Sequence, residues 1–558
     1  AVFVSGIVAL TLSPMMSSLL LQPAGRQKPA LERHIERQIG RLSTWYGALL
    51  DRTLAVRGAV LLVGVVVLVA VGVFFSGLRH ELAPAEDQGG LNIITRAPKY
   101  AAASYTVPYL APLDELLDSM PEYQSSYIHI GGSRGENQMY GGVILKHWSE
   151  RERSSADIQR EIQALGSKLE GVTFTAIQRA PLPGTSGGLP VQMVLRSADP
   201  MPTLFQTAEI AKTAIADSSM FAFVQNQLAY DSTQAHISID RARANEMGIT
   251  MQAIADTLAV LVGDNYVNRF NFYERSYEVI PQVRDADRMT PEDIGRLHVK
   301  TATGALVPLS TVATITLRPQ INQLTQFGQM NSVTLEAVPA PGVTMGEALA
   351  FLESLPLPAG TTVDWLGESR QFVQEGNRLL ISFGFALIVI FLVLAAQFES
   401  LRDPLVILVT VPLAICGALA PLWLGYATLN IYTQIGLITL IGLISKHGIL
   451  MVTFANQIQH SENLNRIEAI RKAAVVRMRP ILMTTAAMVT GLIPLVFASG
   501  PGSASHFSIG IVVVTGMLVG TLFTLFVLPT IYTFIAKDHR ASAASSRERE
   551  LALPESFA

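Results

Sequence analysis

Seven long apolar runs dominate this chain, at residues 2–21, 58–75, 379–396, 404–423, 435–454, 481–498 and 509–535. Each is close to the roughly 20 residues that a helix needs to cross about 30 Å of hydrocarbon. Only 15% of the 558 residues are charged, where soluble domains carry about a quarter. This is the composition of an integral membrane protein, and it excludes an ordinary soluble enzyme. The one cysteine, Cys416, excludes an intramolecular disulfide framework and any Cys-based metal site. No Lys/Arg-rich run with interleaved aromatics points to nucleic acid. The chain opens at Ala1 directly in an apolar run, without the basic segment that begins a signal peptide. It reads as a piece of a longer chain, cropped upstream of its first visible span.

Lys and Arg set the orientation. Segment 22–57 holds Arg26, Lys28, Arg33, Arg37, Arg41, Arg52 and Arg57. The loop after the fifth run holds Arg466, Arg471, Lys472, Arg477 and Arg479, and the tail, 537–558, holds Lys537, Arg540, Arg547 and Arg549. The alternate connections, 424–433 and 499–506, carry neither residue type. Basic loops face the cytoplasm, so the long insertion between the second and third runs lies outside it. Within 22–57, Leu31, Ile35, Ile39, Leu42, Tyr46 and Leu49 recur at helical spacing. Two readings fit them: a helix lying in the cytoplasmic interface, or a linker helix packed against the spans.

The insertion alternates strand-like and helix-like runs. Strands are expected at 91–95, 127–130, 142–146 and 173–178, with helices at 104–119 and 156–169. That is the β-α-β-β-α-β order of a ferredoxin-like, or split β-α-β, unit. A second copy reads as interrupted: strand 191–195, helix 204–216 and strand 236–239, then a detour, then strand 333–338, helix 346–355 and strand 362–365. The expected organisation is a subdomain at 77–183, a second at 184–240 and 325–372, an inserted module at 241–324, and a five-span bundle at 377–536.

Charged residues inside the runs are rare, which makes Lys446 informative. It lies eleven residues from the outer end of its run, about 17 Å deep at 1.5 Å per residue. A cation there costs roughly 2.5–3.5 kcal/mol unless it is paired or hydrated. Lysine also shifts its proton affinity readily when desolvated, which suits it to answering a carboxylate's charge state. The plain alternative is snorkelling to the cytoplasmic side. Ser445, His447, Gly442 and Gly448 beside it favour a close-packed polar seam instead. The sixth run is preceded by Arg477 at the cytoplasmic mouth. Pro480 suits a helix first turn, and Thr484 lies one turn further, within reach of the fifth run. Each has a plain reading too: positive-inside anchoring for Arg477, backbone bonding for Thr484. No Asp or Glu occurs inside any of the seven runs, and Glu399 and Asp403 fall in a short cytoplasmic loop. A proton pathway normally uses a carboxylate, so Lys446 lacks its obvious partner within this chain.

The run from Leu443 through Lys446 to Ala455, followed by Arg477-Met-Arg-Pro-Ile-Leu-Met-Thr484, resembles the hydrophobe/amphiphile efflux pumps of the resistance-nodulation-division (RND) family. Leu10-Thr-Leu-Ser-Pro14-Met, Leu82-Ala-Pro-Ala-Glu86-Asp87-Gln88-Gly89 and Ala395-Ala-Gln-Phe398-Glu399-Ser400 are similar to further landmarks of that family, in its order. Its full-length members have two similar halves, and this chain looks like the sixth span followed by the C-terminal half. The resemblance implies export driven by the proton gradient, with no bound cofactor, through a homotrimer in the bacterial inner membrane. It implies a periplasmic adaptor and an outer-membrane channel as partners, small hydrophobic or amphiphilic compounds as substrates, and no nucleic acid. The external subdomains are then porter modules in the periplasm, and 241–324 is a docking module facing the channel. Lys446, Thr484 and Arg477 are implied in the proton relay, with two Asp on a span outside this chain as partners. The Gly-rich loop that lines the family's drug path matches Gly131, Gly132, Ser133, Arg134, Gly135, Glu136 and Asn137. Tyr127 stands near it, but no Phe lies between Gln124 and Trp148, so the family's usual aromatic cluster is missing. His447 stands where Asn is common in the family. Two other readings remain open on the residues alone: a metal-ion exporter of the same superfamily, and a membrane scaffold or sensor that transports nothing.

Overall fold

The computed structural model describes residues 2–20, 30–98, 101–131, 137–182, 188–228, 232–321 and 323–538. Two compact units result, one within residues 1–84, 375–499 and 503–558, the other within 85–374 and 500–502.

The chain begins with three helices, α1 (Val2–Leu20), α2 (Ala30–Ala55) and α3 (Arg57–Ser76). The C-terminal half of α2 packs on the helical bundle rather than lying free on an interface. Tyr46, Leu50 and Leu54 recur every four residues and are buried in the bundle core. The apolar stripe read from the sequence passed through Leu49, which is only partly buried, and Leu42 is exposed. Directional bonds select the face. The Tyr46 hydroxyl donates to the Leu525 carbonyl at 2.6 Å, and Arg471 Nη2 donates to Asp51 Oδ2 at 2.7 Å.

The second unit opens with β1 (Gly90–Arg96), α4 (Leu110–Asp118), β2 (Tyr123–Ile130), β3 (Gln138–Leu145), α5 (Ser155–Gly166) and β4 (Thr173–Gln178). All pairings are antiparallel, in the spatial order β2-β3-β1-β4. Leu91 and Ile93 alternate onto one face of β1, where they meet Leu113 and Leu117 of α4 and Ile158 and Ile162 of α5. A capping box starts α5: Ser154 accepts from the Asp157 amide while the Asp157 carboxylate accepts from the Ser154 amide. Asp87 anchors the entry to this sheet. Its carboxylate takes Arg151 at 2.9 and 3.1 Å, the Ser155 amide at 2.9 Å and the Gly89 amide at 3.0 Å. Burial alone would raise this carboxyl, but Arg151 and the two amides outweigh it and hold Asp87 below the ordinary carboxylate range.

Next come β5 (Val191–Ser197), α6 (Met201–Asp217), β6 (Phe221–Asn226) and β7 (Ser232–Ile239). They are followed by α7 (Met251–Leu261), β8 (Asn268–Phe272), β9 (Arg275–Val279), β10 (His298–Lys300), β11 (Leu306–Pro308) and β12 (Ala313–Gln320). The unit ends with β13 (Thr325–Phe327), β14 (Met330–Pro339), α8 (Met345–Glu353) and β15 (Thr362–Leu366). Strands β13-β14-β5-β15 form one sheet, with β6 also paired to β14. The strand expected at 236–239 is not in this sheet. It is part of β7, which pairs with β12 in a separate ladder from Ile239↔Ala313 to Ser232↔Gln320. The reason is where the side chains find cover. Ile237 and Ile239 pack with Ile249, Ile254, Val299 and Leu309, while Phe221 of β6 joins the core under the larger sheet. The inserted module therefore gathers residues from 232 onward rather than from 241.

The remaining helices are α9 (Gly367–Phe398), α10 (Arg402–Leu408), α11 (Thr410–Trp423), α12 (Ile431–Glu462), α13 (Arg466–Val496) and α14 (Ser503–Ile535). Among the described residues, six helices are long and apolar enough to cross a membrane: α3, α9, α10–α11 taken together, α12, α13 and α14. The seventh expected span, 2–21, is the helix α1, whose described apolar part, Gly6–Leu19, falls short of that length. Helices α12 and α13 overrun their apolar runs and almost meet. Asn463 turns the chain at φ 51°, and the Asn465 side chain caps α13 by accepting from the Ile467 and Glu468 amides at 3.0 and 2.8 Å. Pro480 therefore lies inside α13, not in its first turn.

Small residues bring the central helices together. Gly516 and Gly520 of α14 face Ala418 and Ala414 of α11. A Cβ on Gly520 would lie 2.6 Å from Ala414 Cβ and 2.9 Å from Ile444 Cδ1, and one on Gly516 would lie 2.3 Å from Leu440 Cδ2. Of the two glycines beside Lys446, Gly448 packs against Ile407 and Leu528, but Gly442 has nothing within 4 Å of where a Cβ would stand.

Gly520→Val is expected to destabilise the bundle by about 1–3 kcal/mol, the cost of overpacking a filled interface, read as a lower midpoint in thermal unfolding of detergent-purified protein. Asp87→Asn leaves the Arg151 guanidinium, whose side chain is 2% exposed, without its counter-charge. The expected loss is about 2–3 kcal/mol, below the range for a fully buried pair because Asp87 keeps some solvent. Since the folded carboxyl is held below its unfolded value, its contribution is complete above about pH 4 and is lost as the pH falls through the folded value. An acid-unfolding curve should show that acidic loss in the wild type and not in Asp87→Asn.

Candidate functional site

Helix α12 has two unlike faces. Leu437, Leu440, Ile441, Ile444, Met451, Val452 and Ala455 are buried in the bundle. Ile435, Thr439, Gly442, Lys446, Thr453 and Gln457 are exposed, and spacings of three, four and seven align them along one side of the helix. Four of those six are polar, a composition that hydrocarbon does not favour. Lys446 lies near the middle of this bare stripe, with no hydrogen bond or ion pair among the described residues.

Its neighbour His447 points the other way, because successive helical residues diverge by about 100°. His447 is 0% exposed, and its Nε2 lies 3.3 Å from Thr484 Oγ1 on α13. The Thr484 hydroxyl has the Pro480 and Ile481 carbonyls at 3.0 and 2.9 Å to receive its proton. With that proton on a carbonyl, the contact with His447 is one in which Nε2–H donates; Nδ1 is buried without a hydrogen-bond partner. Thr484 thus meets His447 and not Lys446. Arg477 lies seven residues earlier on α13, its guanidinium carbon 4.4 Å from the centre of the Phe454 ring. That is a cation–π contact with α12, about two turns beyond His447 toward the C-terminal end of the helix. Its Nε is buried without a hydrogen-bond partner. Two of the three relay candidates therefore face α12 from α13, and the third faces away from both.

In the second unit, Tyr127 on β2 is 44% exposed, and its ring lies across Gly142 of β3. A Cβ at Gly142 would stand 2.6 and 2.7 Å from two ring carbons and 2.8 Å from the hydroxyl oxygen, so glycine there is what lets the ring lie flat on the sheet. His129 meets the ring edge-on at 5.7 Å. Gly131 follows at φ 76° and donates its amide to the Gln138 carbonyl at 3.0 Å, starting the loop. Gly132 and Arg134 lie outside the described residues. Among the described residues there is no group of three or more His, Cys, Asp or Glu side chains that could hold a metal.

One polar cluster escaped the sequence reading. Asp403, assigned there to a loop, sits in the first turn of α10 at 4% exposure and accepts from Asn456 of α12 at 3.2 Å. Asn456 and Gln459 both bond the Tyr532 hydroxyl of α14. The available signal was a pair of amides three residues apart, Asn456 and Gln459, just past the expected end of the fifth run. It was lost because helix length was read from the apolar run alone.

A model of the AcrB/AcrD/AcrF family matches residues 1–536. An uncharacterized transporter of Haemophilus influenzae is 42% identical over 97% of this chain and 53% of its own length. The multidrug export protein AcrF of Escherichia coli is 29% identical over 96% of this chain and 54% of its own. The toluene efflux pump membrane transporter TtgE of Pseudomonas putida is 28% identical over 98% and 54%. The chain spans about half the length of the curated relatives it matches.

Proposed function

Because the chain belongs to the AcrB/AcrD/AcrF family of RND efflux transporters, we propose that it forms part of a proton-driven pump exporting small hydrophobic or amphiphilic compounds. The observation that carries this reading is the bare polar stripe of α12 with Lys446 near its middle. A lysine on a lipid-facing surface would be expected among apolar neighbours that let it snorkel. Here Leu443, Ile449 and Leu450 flank it half-buried, but the exposed line through it carries Thr439, Gly442, Thr453 and Gln457 besides Ile435, small and polar residues of the kind that helix–helix contacts use. The stripe is read as docking a further span that supplies the carboxylates this bundle lacks. Protonating such a carboxylate removes the charge that holds Lys446, and a packed polar seam then has reason to rearrange. Thr484 and Arg477 flank the route on the cytoplasmic side.

In this reading the strand order β2-β3-β1-β4, with two helices on one face, supports a ferredoxin-like porter subdomain. The β5–β15 sheet is a second porter subdomain, and the module gathered around α7 and β7–β12 is the docking part. The drug path passes Tyr127 and the loop from Gly131 through Gly132 and Arg134. The basic segments between helices support an insertion on the periplasmic side of a bacterial inner-membrane protein. The working assembly is then a homotrimer with a periplasmic adaptor and an outer-membrane channel, powered by the proton gradient.

Lys446→Ala, in the protein expressed from its own gene, is expected to reduce export of a lipophilic cationic dye to background while leaving membrane abundance unchanged, and Lys446→Arg to restore part of it. Export and accompanying proton influx at wild-type rates in Lys446→Ala would sink the assignment.

A further inference from the structure

Asp403 is a buried titratable group that the route above does not use. Its Oδ2 accepts from Asn456 Nδ2 at 3.2 Å, Asn456 Oδ1 accepts from the Tyr532 hydroxyl at 2.5 Å, and that hydroxyl oxygen accepts from Gln459 Nε2 at 2.6 Å. Asp403, Gln459 and Tyr532 are 4%, 1% and 0% exposed. Asn456 and Gln459, three residues apart, share one face of α12, so four side chains tie α10, α12 and α14 together.

The chain has a direction. Every donor in it points toward the carboxylate, so each bond polarises the next and the negative charge at the end is what rewards the alignment. A protonated Asp403 carries its own donor and no longer draws Asn456 so strongly, which loosens the joint between three helices. The cluster reads a charge rather than passing a proton along, because two of its links are amides. Mere adhesion has a simpler solution. Well-packed apolar side chains hold buried helices at least as firmly as polar ones that must first be desolvated. Among the described residues, Glu399 before α10 and Lys537 after α14 belong to the titratable and charged groups on or next to the surrounding elements. Arg402 adjoins Asp403 in sequence, and His460 is exposed one turn beyond Asn456 on α12. Asp538 lies past the end of α14, where it and Asp403 both act electrostatically on the Tyr532 hydroxyl. Arg466 of α13 reaches the Ala536 carbonyl at 3.4 Å.

We propose that Asp403 is a second proton-binding site of this protein, whose charge state is sensed by α12 and α14 through Asn456, Tyr532 and Gln459. The proposal rests on the proton-driven reading, and its test keeps Lys446 intact so that the two can fail separately. Asp403→Asn retains the size of the side chain and an acceptor for Asn456 but cannot titrate. Two measurements are made on the full protein expressed from its own gene: infrared difference spectra on acidification, and dye export from everted vesicles against the pH on the cytoplasmic side. The wild type should show a carboxylic acid C=O band that Asp403→Asn lacks. Asp403→Asn should lose about tenfold in pH response of export, the scale of an ordinary coupling between sites, and Asp403→Glu should recover part of it. Tyr532→Phe should keep the band but show the same flattened pH profile, because the titrating group remains and its reader is cut. A wild-type band or a wild-type pH profile in Asp403→Asn overturns the proposal. If Asp403→Asn does not accumulate in the membrane, Tyr532→Phe decides, and an unchanged pH profile there overturns it equally.

Discussion

The arrangement of the helical bundle depends on how closely α11 and α14 approach. Between helices in a membrane there is no hydrophobic drive to association, so contact rests on van der Waals fit, and the fit depends on side chains small enough to allow it. Gly516 and Gly520 supply that space against Ala418 and Ala414, and Leu440 and Ile444 of α12 settle on the same two glycines. Those contacts set the rotation of α12 about its own axis. Once Leu440 and Ile444 face α14, His447 is turned inward to Thr484 and Lys446 is turned to the bare side. The chemistry of the site thus follows from two missing methyl groups that meet α12 at Leu440 and Ile444, within two turns of Lys446 and His447.

Polar groups inside the bundle follow a common rule, each finding a partner on its own helix or on the next. Ser445 bonds the Ile441 carbonyl at 2.6 Å, and Thr485 on α13 meets Thr521 on α14 at 3.0 Å. Such bonds contribute modestly, about 0.6 kcal/mol each and rarely above 1.7, but they hold helices in register. The exceptions carry the interest. Lys446 has no partner among the described residues, the Arg477 guanidinium leans on the Phe454 ring, and His447 keeps one ring nitrogen without a hydrogen-bond partner. All three lie along α12 and the facing part of α13, where an uncompensated polar atom has the most to gain from a small change in packing.

Much of the fold was readable because hydrophobic length is a one-dimensional property. A run of about 20 apolar residues is legible wherever it stands, and six of the seven expected spans appear as long apolar helices. Helix ends were less legible. Nothing in the apolar run shows that α12 continues to Glu462 or that α13 begins at Arg466, since amphipathic turns beyond the hydrocarbon are held by tertiary contact and by the Asn465 cap. In the insertion, a strand at 236–239 was anticipated, but its sheet was not, because pairing partners are chosen by which core each face can reach. Of the site residues, Thr484 was read as within reach of the fifth run and Arg477 as lying at the mouth of the sixth, and both have contacts with α12. The residue that actually meets Thr484 is His447, and the Asp403 cluster was not seen at all.

From the sequence alone came the membrane class, the approximate spans and the exceptional status of Lys446. These rest on composition and length, which need no knowledge of neighbours. Only the tertiary structure decided which way α12 is turned, that Thr484 pairs with His447, and that a carboxylate from an apparent loop is buried among three helices. Those depend on contacts between residues as far apart as Asp403 and Tyr532. In one dimension a loop carboxylate and a buried one look alike, and packing is what separates them.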